Sequence, residues 1–323
     1  MSNVNRVRRT NAISAPANGL AHALESTDFD AAISALLRDC KERNLSIRTS
    51  EYYEDILTML ARELKERHIY RPIDVKKTHI MEIITDKRER EGKADATMNK
   101  YIRGWRAFFN FLRAEGHITD SPFDTIREIK SEKKIIQTFT EDQIKKLMSV
   151  PNRNTFTGFR DAVIMLLMLD TGLRLEEVEG IRIDNIYWKE RQIKVRGKGN
   201  KERLVPFSPK LDEQLREYVA HRGLLEHDFV FVNIDNKPFK RRGIQQAIKN
   251  IGAEAGIKGV RVSPHTFRHT FSKMYIMQGG DAFSLQKILG HTSLDVVRIY
   301  VNLFGVDLSG QHTKYSPLNN LDI

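Results

Sequence analysis

The chain has 323 residues, a formal net charge of +11 and a single cysteine, Cys40, in an apolar stripe that predicts a core position. The length predicts about two domains, and the basic excess favours a polyanionic partner, although it is equally compatible with solubility or RNA binding. One cysteine excludes an intrachain disulfide and a cysteine metal site. The sequence has no apolar run that could span a membrane and no hydrophobic signal core, so we expect a cytoplasmic protein with no membrane partner.

The N-terminal part is predicted to be a flexible leader followed by a helical bundle. Residues 1–27 lack periodicity and contain Arg6, Arg8 and Arg9, which leaves two interpretations, a basic arm that touches DNA or an inert leader. Within residues 28–118, apolar residues recur at helical spacing in four segments joined by short loops. This pattern predicts a small helical bundle.

The last helix of this bundle also has a basic face. Its ordinary interpretation is a solvated surface, and the alternative is a surface that contacts DNA. The candidate DNA contacts on it are Lys100, Arg103 and Arg106.

Residues 119–139 are predicted to be an interdomain linker, because they contain Ser121-Pro122 and the charged run REIKSEKK. A second domain is predicted from 140 to 306, and the sequence TEDQ at its start is typical of a capping box. Residues 307–323 have turn signals and little apolar content. They are either a free tail or a segment that docks on a neighbouring subunit and is swapped between protomers.

The second domain is predicted to be mainly α-helical with a small antiparallel β-sheet. A strongly apolar helix ends at Gly172, and further helices are predicted at 210–222 and 240–255. Lys240, Arg241 and Arg242 begin the second of these, where a phosphate contact is expected. Strand-like pairs occur at Ile181 and Ile183, Ile193 and Val195, and Leu204 and Val205, with a hairpin tip at 197–200 and a further short strand at FVFV.

The stretch from Ser263 to Tyr300 is the best candidate for a functional site. Ser263 and Pro264 are typical of a helix start, and His265 and Arg268 then share one face of its first turns. The free N–H groups of such a helix start favour an anion such as a phosphate.

The same stretch continues through a second helix end. Gly290 is typical of a helix C-terminus, His291 follows in the turn, and Tyr300 lies on the last helix. Two His, an Arg and a Tyr suit the attack of a phenol on a phosphodiester. The alternative is a capped helix with a surface His and a half-buried Tyr.

Four sequence motifs of this chain resemble those of a known protein family. GLRLEE, GKGNKERLVP, SPHTFRH and LGHTSLDVVRIY occur in this order, and with this spacing they resemble the catalytic domain of tyrosine site-specific recombinases, the Xer and phage-integrase family. The resemblance covers about 140 to 305, and the bundle resembles the family's core-binding domain in type and position. The short N-terminal segment makes the chain more similar to compact Xer-type or mobile-element recombinases than to larger integrases.

The resemblance implies a set of catalytic residues, which are Arg174, Lys198, His265, Arg268, His291 and Tyr300. Tyr300 would attack the scissile phosphate, leaving a 3′-phosphotyrosyl link and a free 5′-hydroxyl. Lys198, or Lys201 in its place, would be the general acid.

In the same assignment the two arginines would bind the non-bridging oxygens, His265 would exchange a proton with the phenol, and His291 would hydrogen-bond the phosphate. Glu177 matches an acidic position that orients its neighbours, whereas Glu176 stands where the family usually has a small residue.

The resemblance also implies no cofactor, no ATP and no metal site. The implied partners are double-stranded DNA with a specific recombination site and further copies of the chain, as a tetramer on paired sites, and an accessory directionality factor is left open. Two alternatives remain, a recombinase-fold DNA-binding repressor without strand exchange and a type IB topoisomerase. A nucleophile at Tyr300 disfavours the first, and the Xer-like motif spacing and short length disfavour the second.

Overall fold

The computed structural model describes residues 28–130, 136–197, 201–290, 312–313 and 316. Contacts divide the chain into two compact units, Met1–Lys134 and Ile135–Ile323. Helices dominate both units among the described residues, and a small antiparallel sheet lies in the second. The expected fold class is therefore confirmed.

The first unit contains the four predicted helices. They are α1 (Phe29–Glu42), α2 (Ile47–Lys65), α3 (Lys77–Glu89) and α4 (Asp95–Ala114). A short 3₁₀ turn, Pro72–Asp74, lies between α2 and α3. The carboxylate of Asp28 caps α1 by accepting from the Ala31 amide, and the hydroxyl of Ser46 caps α2 by accepting from the Thr49 amide.

The bundle core is built around α4. Trp105 is fully buried, and its indole N–H donates to the carbonyl of Ile56 on α2 at 3.1 Å. A Cβ on Gly104 would lie 2.0 Å from Cδ1 of Ile56 and 2.8 Å from the hydroxyl oxygen of Tyr52, so side chains of α2 pack closely against α4 at this glycine. Cys40 is buried in the same core, as expected.

The segment after α4 packs onto the bundle, unlike the predicted linker. Ile118, Phe123 and Ile126 are buried in the bundle core. The amide of Asn99 brackets Ile129, donating to its carbonyl at 2.8 Å and accepting from its N–H at 2.7 Å. Polar side chains of α4 hydrogen-bond the backbone of this segment, in place of the water that would hydrogen-bond a solvent-exposed linker.

The second unit begins with Thr140, which forms the expected capping box with Gln143. The named helices in the part of this unit that the structure describes are α5 (Glu141–Ser149), α6 (Phe156–Thr171), α7 (Leu175–Glu179), α8 (Pro209–Arg222), α9 (Arg241–Glu254), α10 (Pro264–Met277) and α11 (Ala282–Leu289). Phe139, the last residue of the predicted linker, is buried in this unit, and its N–H donates to the hydroxyl of Thr270 on α10.

The sheet has three antiparallel strands in the order β1 (Ile186–Tyr187), β2 (Gln192–Arg196) and β3 (Glu202–Pro206). In the β2–β3 hairpin, Ile193 pairs with Val205 and Val195 with Arg203, in agreement with the predicted hairpin.

Two predicted strands are wrong. Ile183 begins a short 3₁₀ turn, Ile183–Asn185, and the first strand follows that turn. Phe229 and Val232 form only isolated bridges, with Arg182 and Pro238. Pairing ends after one bridge in each case, although the alternation of Ile181 and Ile183 and the continuous apolar run FVFV both fit a strand.

The core of the second unit surrounds α6, which is apolar on most of its surface and contacts α8 and α10. Gly172 ends α6 in the left-handed conformation, with φ of 62°. A Cβ there would lie 2.4 Å from the ring of Phe271 on α10. The turn after α6 and the helix α10 are therefore held in direct contact.

We predict that Asn99→Ala lowers the free energy of unfolding of the first unit by about 1–3 kcal/mol, because two backbone groups of Ile129 lose their partner. Denaturant unfolding in a Trp188→Phe background measures this, since Trp105 then reports on the bundle alone. Asn110→Ala, an exposed position on the same helix, is the control. Equal effects of the two substitutions would mean that the segment is detached in solution.

Candidate active site

The turn after α6 places Arg174. This residue is the N-cap of α7, and its backbone N–H donates to the carboxylate of Glu177 at 2.8 Å. Its side chain is 37% exposed. The guanidinium donates through Nη1 to the carbonyl of Leu289 at 3.1 Å and to Oε1 of Glu177 at 3.2 Å.

Helix α10 places His265 and Arg268, as the sequence predicts. Ser263 caps the helix by accepting from the Thr266 N–H, and His265 is exposed in the first turn. Arg268 is buried one turn later, where Nη1 donates to the carbonyl of Gly172 at 2.6 Å and Nη2 to that of Leu289 at 2.8 Å.

Arg174 and Arg268 therefore converge on a single oxygen, the carbonyl of Leu289. This carbonyl is at the C-terminus of α11, where the last turn of a helix has no intrahelical partners and carries partial negative charge. Gly290 ends the helix in the left-handed conformation, with φ of 64°, as expected.

A third arginine, Arg203 on β3, completes the cluster. Its Nη1 and Nη2 donate to the two oxygens of Glu177 at 2.7 and 3.0 Å, and its Nε donates to the carbonyl of Ile288 at 2.8 Å. We call Arg174, Arg203 and Arg268 the arginine cluster. With one buried carboxylate against three guanidinium groups, the cluster has an excess of positive charge that suits an anion.

Arg203 is not among the site residues predicted from the sequence. The available signal was strand alternation, because Arg203 lies on the same side of β3 as the buried Val205. A charged side chain on an inward face requires a buried partner, and Glu177, which is buried on α7 together with Leu175 and Val178, is that partner.

Glu177 is held as a carboxylate. Burial alone would raise its pKa, but the hydrogen bonds from Arg203 and Arg174 outweigh burial, so that its pKa is lowered. His269, one turn after His265, was not singled out by the sequence. Burial, and then the charges of His265 and Arg268, lower the pKa of His269, which favours its neutral imidazole.

Lys198, His291 and Tyr300 lie outside the described residues. Lys201 is exposed, and its carbonyl accepts from the N–H of Gly197 at 2.8 Å, which closes the hairpin. Among the described residues, no group of three or more His, Cys, Asp or Glu could hold a metal ion. Within the same ranges no helix is long and apolar enough to cross a membrane.

The basic residues at the start of α9 face two directions. Arg241 pairs with Glu176 at 2.6 Å and with Glu179 at 3.6 Å, and Lys240 lies 3.8 Å from Glu179. Glu176, the residue that departs from the family pattern, thus pairs with a predicted DNA contact. Arg242 instead lines a groove of about 590 Å³ between α9 and the start of α10. Gln245, Lys249 and Arg261 line it as well.

The basic residues of α4 also differ from one another. Lys100 is exposed and lies 4.6 Å from the ring centroid of Tyr52, and Arg103 is exposed near Glu128. Arg106 is half-buried and donates to the carbonyl of Ile126 at 2.6 Å. Arg106 therefore contributes to packing, and its DNA contact stays a prediction.

Known proteins resemble this chain in sequence. Residues 137–305 match the sequence pattern of the Phage integrase family. Tyrosine recombinase XerC of Thermodesulfovibrio yellowstonii is 31% identical over 240 residues, which cover 72% of this chain and 79% of the relative. Tyrosine recombinase XerD of Lacticaseibacillus casei is 32% identical over 282 residues, covering 85% of this chain and 94% of the relative.

Solved structures share the fold at lower identity. The Tn1549 transposon integrase in complex with a circular intermediate DNA has a TM-score of 0.71 at 17% identity, covering 91% of this chain and 100% of that one. XerH recombinase bound to a palindromic difH substrate has a TM-score of 0.69 at 19% identity, covering 89% and 85%. A lambda integrase tetramer bound to a Holliday junction has a TM-score of 0.71 at 17% identity, covering 88% and 84%.

The family pattern spans more than half of the chain, and relatives above 30% identity extend along most of it. The four motifs and the convergent arginines lie within the matched region. The chain therefore belongs to the phage integrase family and is a tyrosine site-specific recombinase.

Proposed function

We propose that this recombinase cleaves and rejoins double-stranded DNA through a covalent link between Tyr300 and a 3′-phosphate. The observation that carries the proposal is the convergence of Arg174 and Arg268 on the carbonyl of Leu289, two residues before His291. Two guanidinium groups from separate helices thus meet at the end of α11, and His291 and Tyr300 follow this helix end in the sequence.

The arginines would stabilise the charge that builds on the non-bridging oxygens in the pentacoordinate transition state. A guanidinium donates paired hydrogen bonds that match phosphate oxygens. Fixed donors of this kind usually contribute the largest part of an enzyme's rate enhancement. Arg174 is the accessible member of the pair, with a 37% exposed side chain, whereas Arg268 is buried. Glu177 remains ionised beside both Arg174 and Arg203 and so fixes their orientation.

The reaction would conserve the free energy of the phosphodiester bond in the phosphotyrosyl link. The Tyr300 oxygen forms a bond to phosphorus as the bond to the 5′ oxygen breaks, and Lys198 or Lys201 gives that oxygen its proton. His265 would take the phenol proton, and His291 would hydrogen-bond the phosphate. Attack of a 5′-hydroxyl on the phosphotyrosine reverses these steps and rejoins the strand. ATP is therefore not required.

DNA would also contact the groove beside α9. Arg242, Lys249 and Arg261 line it together with the capped start of α10, a combination of cations and free N–H groups that suits a phosphate backbone. Lys100 and Arg103 on α4 are the corresponding exposed cations of the first unit. Pairing of Lys240 and Arg241 with acidic residues makes them weaker candidates.

Assembly as a tetramer on paired DNA sites is part of the proposal, with the C-terminal tail swapped between protomers. A lambda integrase tetramer on a Holliday junction supports this state for a protein of the same fold. A cytoplasmic location and an accessory directionality factor stay predictions.

We predict that Tyr300→Phe binds its recombination site with near-normal affinity but forms no covalent adduct, because only the attacking oxygen is lost. A nicked suicide substrate traps the adduct, which denaturing electrophoresis detects, and gel-shift titration measures binding. Tyr275→Phe, a half-buried tyrosine on α10, is the matched control and should form adduct normally. Adduct formation by Tyr300→Phe would refute the assignment.

We predict that Arg174→Ala slows cleavage by on the order of 10²–10³-fold, because one donor to the transition state is lost. The single-turnover cleavage rate on the same substrate measures this. Arg216→Ala, which removes an exposed arginine paired with Asp212 on α8, should leave the rate unchanged. Cleavage by Arg174→Ala at the wild-type rate would exclude Arg174 from the site.

A further inference from the structure

We infer that Arg203 is a positioning residue for the general acid, an inference that rests on the proposed function above. Its side chain is 14% exposed, and each of its three guanidinium nitrogens donates to a protein oxygen. It joins three elements, β3 through its own backbone, α7 through Glu177 and α11 through Ile288. This arrangement suits a residue that holds other groups in place.

Arg203 lies where the chain enters two of the proposed catalytic segments. A Cβ placed on Gly290, the residue before His291, would lie 2.9 Å from the guanidinium carbon of Arg203. One placed on Gly197, the residue before Lys198, would lie 3.6 Å from Nη1 of Arg203 and 3.8 Å from Oε1 of Glu177. The ion pair of Arg203 and Glu177 therefore packs against the residue that precedes each segment.

The hairpin also carries both candidates for the general acid. Gly197 and Lys201 close its turn through a 2.8 Å backbone hydrogen bond, and Arg203 pairs with Val195 two residues from that hydrogen bond. A proton is transferred only when the acid lies within hydrogen-bond reach of the leaving oxygen. Fixing the turn end of the hairpin to α7 and α11 thus sets the distance from the general acid to the phosphate that Arg174 and Arg268 bind.

Lysine could not replace Arg203 in this role. The planar guanidinium reaches both oxygens of Glu177 and the carbonyl of Ile288 at once, whereas a lysine ammonium is a point charge on a flexible stem. Arg203→Lys keeps the positive charge beside the buried Glu177 and removes the fork. Arg203→Lys therefore separates the effect of lost positioning from the effect of lost charge.

The test compares two suicide substrates, one with the ordinary 5′ oxygen at the scissile bond and one with sulfur in its place. Cleavage of the second breaks a P–S bond and releases a thiolate, which leaves without a general acid because a thiol, with a pKa of about 8.5, is a far stronger acid than an alcohol. A defect in proton donation therefore disappears on the sulfur substrate, whereas a defect in phosphate binding or in folding persists.

We expect Arg203→Lys to slow cleavage of the oxygen substrate by about ten- to a hundredfold, part of the 10²–10⁴-fold that a general acid contributes. On the sulfur substrate its rate should approach that of the wild type. Arg196→Lys makes the same exchange in the same hairpin at an exposed residue paired with Glu202, and should cleave both substrates normally. Arg174→Ala should be slow on both.

Two results would overturn the inference. One is an equal loss on both substrates, which would make Arg203 a structural residue, and the other is normal cleavage of the oxygen substrate. If Arg203→Lys does not fold, the cleavage rates of Arg203→Gln on the two substrates are compared instead. Thermal unfolding and DNA affinity show whether each variant is folded.

A separate experiment tests the assignment of the general acid. Lys198→Ala and Lys201→Ala are tested in parallel, and rescue of one of them by sulfur identifies the acid. If sulfur rescues neither, the proposed proton donor is wrong. If the wild type forms no adduct at all, the proposed cleavage chemistry is wrong.

Discussion

The candidate active site depends on how the C-terminal end of α11 is held. The carbonyls of Ile288 and Leu289 lack intrahelical partners, and three guanidinium groups from β3, α7 and α10 donate to them. Glu177 supplies the buried negative charge that joins two of these groups. Because the donors come from distant parts of the sequence, this one helix end fixes the relative position of the elements that carry the proposed chemistry.

Local sequence rules predicted the elements that depend on local interactions. The capping box at Thr140, the ends of helices at Gly172 and Gly290, and the Ser263-Pro264 start are confirmed, because each needs only neighbours within one turn. The β2–β3 hairpin followed from alternation and a glycine-containing turn.

Features that depend on tertiary contacts were not predicted. The charged segment after α4 was interpreted as a linker, but Asn99 and Arg106 bind its backbone and its apolar residues reach the core. The role of Arg203 required knowing that Glu177 is buried opposite it. Motif resemblance supplied Arg174 and Arg268, yet their meeting at one carbonyl is a property of the fold alone.

The ion pairs between α7 and the start of α9 limit how the basic charge of the chain can be used. Glu176 and Glu179 already neutralise Arg241 and Lys240, so these cations hold fewer mobile anions than isolated ones would. A polyanion that arrives there displaces carboxylates of the protein itself rather than salt ions, and it gains less from counterion release than the formal charge of +11 implies. Glu176, at a position where the family usually has a small residue, thus weakens non-specific nucleic-acid binding at this surface.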